Sequence, residues 1–365
     1  MANVQRGGMK FVSIQYLRIA AALGVVLFHA SLSLLDGRAI IPFNFGQIGV
    51  DLFFVISGFI IYYTTADDRM KPGVFLLRRA IRIIPMYFIF TTLALLIVTI
   101  APMATRSIDP SLFDYFRSIL FIPFYNPKSL FVSPILSQGW TLNYEVFYYL
   151  IFAICLLLHR EQRLLVSSAV LILLVAIHLS IHPLEFFISV YTNSRLSEFV
   201  LGMVIAYTTK HYPEKLAKLT MLFSAAGALA SAAYIVDSNA TVAANLSIFF
   251  GLPCAAIVCG LVWLEFENKM PRIPILILAG DASYSLYLGH IFVLSILRRP
   301  WGQLNPESFW THATFMVSCT IASLALAILT FLWVERPVTQ RLMRYARRWQ
   351  PQPELVIAEC VAGAP

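Results

Sequence analysis

The chain has 365 residues, of which 59% are hydrophobic and only 13% charged, and its mean hydropathy is +0.76. Soluble domains carry about 25% charged residues, so a water-soluble globule is excluded, as is a disordered chain, which needs low hydrophobicity. The formal charge of +8 does not mark a nucleic-acid partner, because the basic residues sit in short clusters between apolar runs rather than on one polar face.

A membrane helix needs about 20 mainly apolar residues. Such stretches recur near 11–35, 47–65, 80–101, 140–158, 164–182, 186–208, 219–236, 242–265, 274–297 and 310–334. The expected fold is therefore all-α, a polytopic transmembrane helical bundle of about ten spans. Residues 1–340 would form the transmembrane domain and 341–365 a basic cytoplasmic tail. The first run is too long for a cleaved signal and carries Arg18 and His29. The sixth stretch is the weakest, interrupted by Arg195 and Glu198. Within the connector 102–139, the apolar spacing of 111–120 predicts a short amphipathic helix on the membrane surface.

With the N-terminus in the cytoplasm, 19 of the 27 Lys and Arg fall on inner segments and seven on outer ones, Arg18 lying inside the first span. The positive-inside rule then places both termini in the cytoplasm. Arg344, Arg347 and Arg348 read as an anchor on the anionic inner leaflet. The five cysteines form no CxxC pair and four lie in apolar stretches, so neither a disulfide framework nor a metal site is expected.

A charge at the centre of a membrane helix costs about 2.5–3.5 kcal/mol on insertion scales, so each one marks a candidate site. Arg18 and His29 are eleven positions apart in the first stretch. That is three turns plus roughly 20°, so they share one face about 16 Å apart. Asp51 lies near the outer end of the second stretch with Ser57 deeper, and Glu145 lies about one turn into the fourth. Ser283, Tyr287 and His290 make a polar stripe in the ninth at steps of four and three. At the cytoplasmic start of the third stretch stand Arg78, Arg79 and Arg82, with Arg78 and Arg82 projecting from one face. Guanidinium groups partly withdrawn from water suit bidentate phosphate binding.

Two zones follow: cations at the cytoplasmic mouth, and His29, Asp51, Glu145 and His290 in the outer half. This layout fits an enzyme that takes a phosphate-bearing donor from one side and serves an acceptor on the other. It equally fits an exporter or flippase of a lipid-linked sugar with an intramembrane proton relay.

Six strings resemble motifs of the acyltransferase-3 family of membrane proteins. They are Arg18 with ten residues before His29, Gly49 to Phe59, Arg78 to Pro85, Trp140 to Tyr149, Ser283 to His290, and Glu335-Arg336-Pro337. The run from Gly139 to Tyr149 is most similar to the exopolysaccharide acetyltransferase branch. Tyr144 stands where many members have a second glutamate, leaving Glu145 as a single carboxylate. Some relatives carry a fused extracytoplasmic esterase-like domain. None is expected here, so the chemistry would fall to the membrane domain.

The resemblance implies a multi-pass protein of the bacterial inner membrane, surrounded by membrane lipids. It implies transfer of an acyl group, most often acetyl, from cytoplasmic acetyl-CoA to a hydroxyl of an exported or envelope glycan or its lipid-linked precursor. Polysaccharide synthesis or export machinery would be the partner, with no nucleic acid and no metal. On this reading Arg18, Arg78, Arg79 and Arg82 hold the CoA phosphates, and Ser57, Tyr287 and His290 bind substrate. His29 acts either as general base or as covalent acyl acceptor, oriented by Asp51 or Glu145 as a carboxylate orients histidine in a triad.

Overall fold

The computed structural model describes residues 11–33, 45–65, 70–100, 111–126, 131–132, 134–181, 186–236, 246–304 and 308–348. Arg6, Lys10, Arg38, Arg69, Arg106 and Lys128, counted above for orientation, lie outside these residues, as do Cys360 and the tail beyond Arg348.

Helices occupy each of the apolar stretches. In chain order they are α1 (Val12–Ser33), α2 (Phe45–Thr65), α3 (Pro72–Ile100), the short α4 (Leu112–Ile119), α5 (Trp140–Cys155), α6 (Arg160–Ile181), α7 (Phe186–Tyr191), α8 (Leu196–His211) and α9 (Leu216–Val236). There follow α10 (Leu246–Phe266), α11 (Pro274–Asp281), α12 (Ser283–Trp301), α13 (Phe309–Thr330) and α14 (Arg336–Arg348). Among the described residues, five helical segments are long and apolar enough to cross a membrane, or six if α11 and α12 count as one bent span. The one sheet among them is a two-residue antiparallel ladder, Tyr125–Asn126 against Phe131–Val132.

The bundle exposes apolar side chains outward. Phe88 and Ile100 of α3, Leu165 and Leu173 of α6, Met221 and Leu229 of α9, and Val317 and Ile321 of α13 all face away from the protein. Exposed apolar surface on this scale has lipid as its natural solvent. The protein is a membrane protein. In α4, Leu112, Phe113 and Phe116 are exposed and Arg117 pairs with Asp114, in keeping with the amphipathic spacing.

The interior is mainly apolar with buried polar groups set into it, and α1 lies at its centre, packed against α2, α10, α11, α12 and α13. Its first turn is capped from a distant helix. Glu265 at the end of α10 accepts from the backbone N–H groups of Val12 and Ser13, both at 2.9 Å, and from the Ser13 hydroxyl. This carboxylate satisfies orphan donors and faces the positive end of the helix dipole. Tyr16 clasps the segment before α11, donating to the Pro271 carbonyl at 2.6 Å and accepting from Ile273 N–H at 2.7 Å.

Close backbone approaches fix the helix directions. A Cβ on Gly202 of α8 would stand 2.0 Å from the Val55 carbonyl oxygen of α2, and one on Gly58 would stand 2.2 Å from that of Phe199. Small residues at such crossings let backbones nearly touch. With Asp51 beside Arg195 and Tyr62 beside Tyr207, α2 and α8 run parallel. Gly280 of α11 sits on the Gln15 carbonyl and His290 of α12 meets His29, so the bent α11–α12 pair runs in the same direction as α1. Gly46 against Phe28 and Gly49 against Ala21 make α1 and α2 antiparallel.

Three breaks depart from uninterrupted spans. The sixth stretch splits into α7 and α8, because Asn193 Oδ1 accepts from Arg195 N–H at 3.1 Å and turns the chain there. The ninth divides at Ala282, where α11 and α12 meet at a 71° bend. The tenth continues through a π-helical turn, Phe331–Glu335, into α14. Such turns recur at functional sites because they re-aim one side chain, and here Glu335 is buried.

Candidate active site

A cavity of about 300 Å³ opens among α1, α2, α3, α5 and α12. Three of the four expected cations line it: Arg18, Arg79 and Arg82. Arg18 is 7% exposed and donates to Gln15 Oε1 at 3.3 Å, while Arg82 is exposed. Arg79 lies over the Phe75 and Tyr149 rings, with guanidinium carbon 5.5 and 5.9 Å from their centroids. Arg78 does not line the cavity. The face that reaches it is Arg79 with Arg82, three residues apart, in place of the Arg78–Arg82 pair expected from spacing.

Glu145 belongs to this cationic zone. It accepts from Ser57 Oγ at 2.9 Å and from the Tyr149 hydroxyl, and all three line the cavity. Glu335 is a second counter-charge: it accepts from Ser285 Oγ at 2.6 Å and, with Glu145 and Asp281, contributes to the field at Arg18. Sequence reasoning placed Glu335 in a motif without giving it a role. An acidic residue just after a long apolar run was the signal available. Three guanidinium groups, the Glu145 carboxylate and the hydroxyls of Ser57 and Tyr149 thus line this part of the cavity, with the Glu335 carboxylate nearby.

Apolar side chains, including Phe11, Phe53, Phe54 and Ile60, form much of the remaining wall. At the far end, Tyr287 shares its hydroxyl with Thr141 Oγ1 at 2.9 Å and the Gln138 carbonyl at 3.2 Å, and its ring meets that of Phe53 at 5.8 Å. Beyond this aromatic pair lies His290, its ring 6.4 Å from that of Tyr287.

His29 is half-buried and does not line the cavity. Its Nδ1 lies 2.8 Å from Nε2 of His290, with the rings 16° from parallel. His290 is 1% exposed, and its Nδ1 is 3.1 Å from the Leu286 carbonyl oxygen. The expected carboxylate partner of His29 is not there, since Glu145 bonds Ser57 and Tyr149. His290, expected to touch substrate, is the residue that grips His29.

Asp51 is elsewhere. It is 1% exposed, with Oδ1 3.6 Å from Arg195 Nε, and shares its surroundings with the fully buried Glu198. Arg195 also lies over the Trp140 ring at 5.2 Å. Glu198, noted in the sequence only as an interruption, is thus buried beside Asp51 and the half-buried Arg195.

A family model described as an acyltransferase domain matches residues 11–332. The chain is similar to the exopolysaccharide production protein ExoZ of Rhizobium meliloti (strain 1021), 30% identical over 306 residues, which is 82% of this chain and 91% of that protein. It is 24% identical over 400 residues to a Staphylococcus aureus (strain COL) protein named "Putative O-acetyltransferase", covering 96% of this chain but only 61% of that longer protein. Nodulation protein 10 of Rhizobium leguminosarum bv. viciae is 27% identical over 361 residues, 91% of this chain and 94% of that one. No solved structure matches.

Proposed function

Because this chain belongs to the acyltransferase-3 family and is an acyltransferase, we propose that it moves an acetyl group from cytoplasmic acetyl-CoA to a hydroxyl of an exported or envelope polysaccharide, or of its lipid-linked precursor. The observation that carries the reading is the path along α1. Arg18 stands in a cationic cavity, and His29, eleven residues further on, is hydrogen-bonded to His290 beyond the cavity's far end. The protein is a multi-pass component of the inner membrane with ten spans and cytoplasmic termini. Helix directions support that count: the α11–α12 pair runs the same way as α1, as ninth and first spans must, and α2 and α8 are parallel as second and sixth. The polysaccharide acceptor is supported by the name of the Rhizobium meliloti relative, an exopolysaccharide production protein, and synthesis or export machinery for that polymer is the partner.

In this reading Arg18, Arg79 and Arg82 hold the donor's phosphates, and the apolar wall carries its pantetheine arm toward Phe53 and Tyr287. Bidentate guanidinium contacts supply both affinity and orientation. At the far end, His29 takes the proton from the acceptor hydroxyl as its oxygen attacks the thioester carbonyl. The tetrahedral adduct then collapses, the C–S bond breaks, and His29 returns the proton to the departing thiolate. Ser57, Glu145 and Tyr149 form a fixed polar wall beside the donor, and Asp51 with Glu198 and Arg195 steadies α2 against α8.

The test is acetyl transfer by the purified protein in detergent, from labelled acetyl-CoA to the polysaccharide isolated from its own host. The unaltered chain gives labelled ester without any membrane compartment. His29→Gln and Arg18→Ala abolish it at normal membrane abundance, whereas Arg344→Ala does not. A transporter would give no ester in this assay.

A further inference from the structure

The histidine pair has a directionality that follows from one carbonyl group. A carbonyl oxygen only accepts, so the contact between Leu286 O and Nδ1 of His290, at 3.1 Å, places a proton on that nitrogen. A neutral His290 then presents a bare Nε2 to its neighbour. The 2.8 Å separation between this atom and Nδ1 of His29 accommodates one proton, which must therefore reside on Nδ1 of His29. A neutral His29 is left with its lone pair on Nε2.

We infer that His290 is a positioning residue that sets the tautomer of His29, holding the proton on Nδ1 and leaving Nε2 as the basic atom. This rests on the reading of His29 as the base. The work commonly given to a carboxylate is here done by a second imidazole anchored to the backbone of its own helix. The order is Leu286 carbonyl, His290 Nδ1–H, His290 Nε2, His29 Nδ1–H, His29 Nε2.

Burial agrees with this direction. His290 is 1% exposed and closed off behind Tyr287, whereas His29 at the other end is half-buried. A free imidazole in water divides its proton between two tautomers. The anchored pair removes that choice and fixes the ring plane, with the two rings only 16° from parallel. When His29 Nε2 accepts the hydroxyl proton, the new positive charge is shared with His290 through the bridging proton. No net proton is added to His290, and the proton taken up leaves on the thiolate.

The tautomer can be read directly. Protein labelled with ring nitrogen-15 histidine, studied by solid-state NMR in lipid, should show His29 with a protonated Nδ1 and a bare Nε2. The signal is assigned by its absence in His29→Gln. In His290→Leu the preference should be lost, and kcat should fall about a hundred- to ten-thousand-fold with KM for acetyl-CoA unchanged. His290→Gln places an amide oxygen where Nε2 stood and should recover most of that loss. A wild-type His29 protonated on Nε2, or full kcat in His290→Leu, would overturn the positioning role. Full turnover in His29→Gln would instead overturn the base reading itself, whichever tautomer the spectrum shows.

Discussion

Replacement of Gly202 by alanine tests how the packing of α2 on α8 supports the cavity. The added Cβ would lie 2.0 Å from the Val55 carbonyl oxygen, 2.7 Å from Phe59 N and 3.0 Å from Gly58 Cα. All three are backbone atoms, so no flexible side chain can yield. Ordinary contact begins at 3.4 Å, so the carbonyl must retreat by about 1.4 Å. Ser57 lies two residues from Val55 on the same helix. A shift of that size stretches its 2.9 Å hydrogen bond to Glu145 beyond bonding distance. Overpacking costs about 1–3 kcal/mol and loss of a hydrogen bond to a carboxylate about 1.5–3, set against about 1 gained from helix propensity. The net expectation is a destabilisation of about 1.5–5 kcal/mol. Thermal unfolding in detergent, followed by loss of the monodisperse peak in size exclusion, measures it alongside acetyl transfer. Gly73→Ala is the internal control: a Cβ there meets nothing within 4 Å, and the change should be neutral or mildly stabilising. Equal unfolding midpoints for the two variants would refute the close crossing and the dependence of Ser57 on it.

Three further outcomes follow from the same contacts. Arg79→Gln should raise KM for acetyl-CoA roughly tenfold or more with little change in kcat, since phosphate binding without a transition-state role affects KM alone; steady-state kinetics checks this. Ser285→Ala removes the 2.6 Å donor to buried Glu335 and should cost about 1–3 kcal/mol, read as a lower unfolding midpoint. Arg163 is 5% exposed and donates to the carbonyls of Leu156, Leu158 and Thr65. Arg163→Met should leave those acceptors unpaired and lower membrane abundance, measured by immunoblot, more than Arg344→Met does.

What was legible depended on whether a feature is carried by one helix or by two. The eleven-residue spacing of Arg18 and His29 lies within α1, and both residues do face the protein interior, Arg18 in the cavity and His29 against His290. The sixth stretch looked interrupted at Arg195 and Glu198, and the chain does break just before α8, at Arg195, while Glu198 lies within the helix. Partners across helices were another matter. Glu145 was a reasonable orienting group for His29, but α5 delivers it to Ser57 and Tyr149 instead. His290 lies 261 residues from His29, and nothing in a periodicity tells which of several polar residues meets it. The choice of Arg79 over Arg78 turns on about 100° of helix rotation, finer than apolar patterning resolves.

The distant cap on α1 sets an order on biogenesis. Residues 12 to 29 are synthesised long before the groups that partner their polar atoms, which come from Glu265, Pro271 and His290. For most of translation this helix must therefore wait in the bilayer, or beside an insertase, with the N–H groups of its first turn and an imidazole uncovered. Chains cut short before the ninth apolar stretch should be recognised and cleared by membrane proteolysis rather than accumulate as stable fragments.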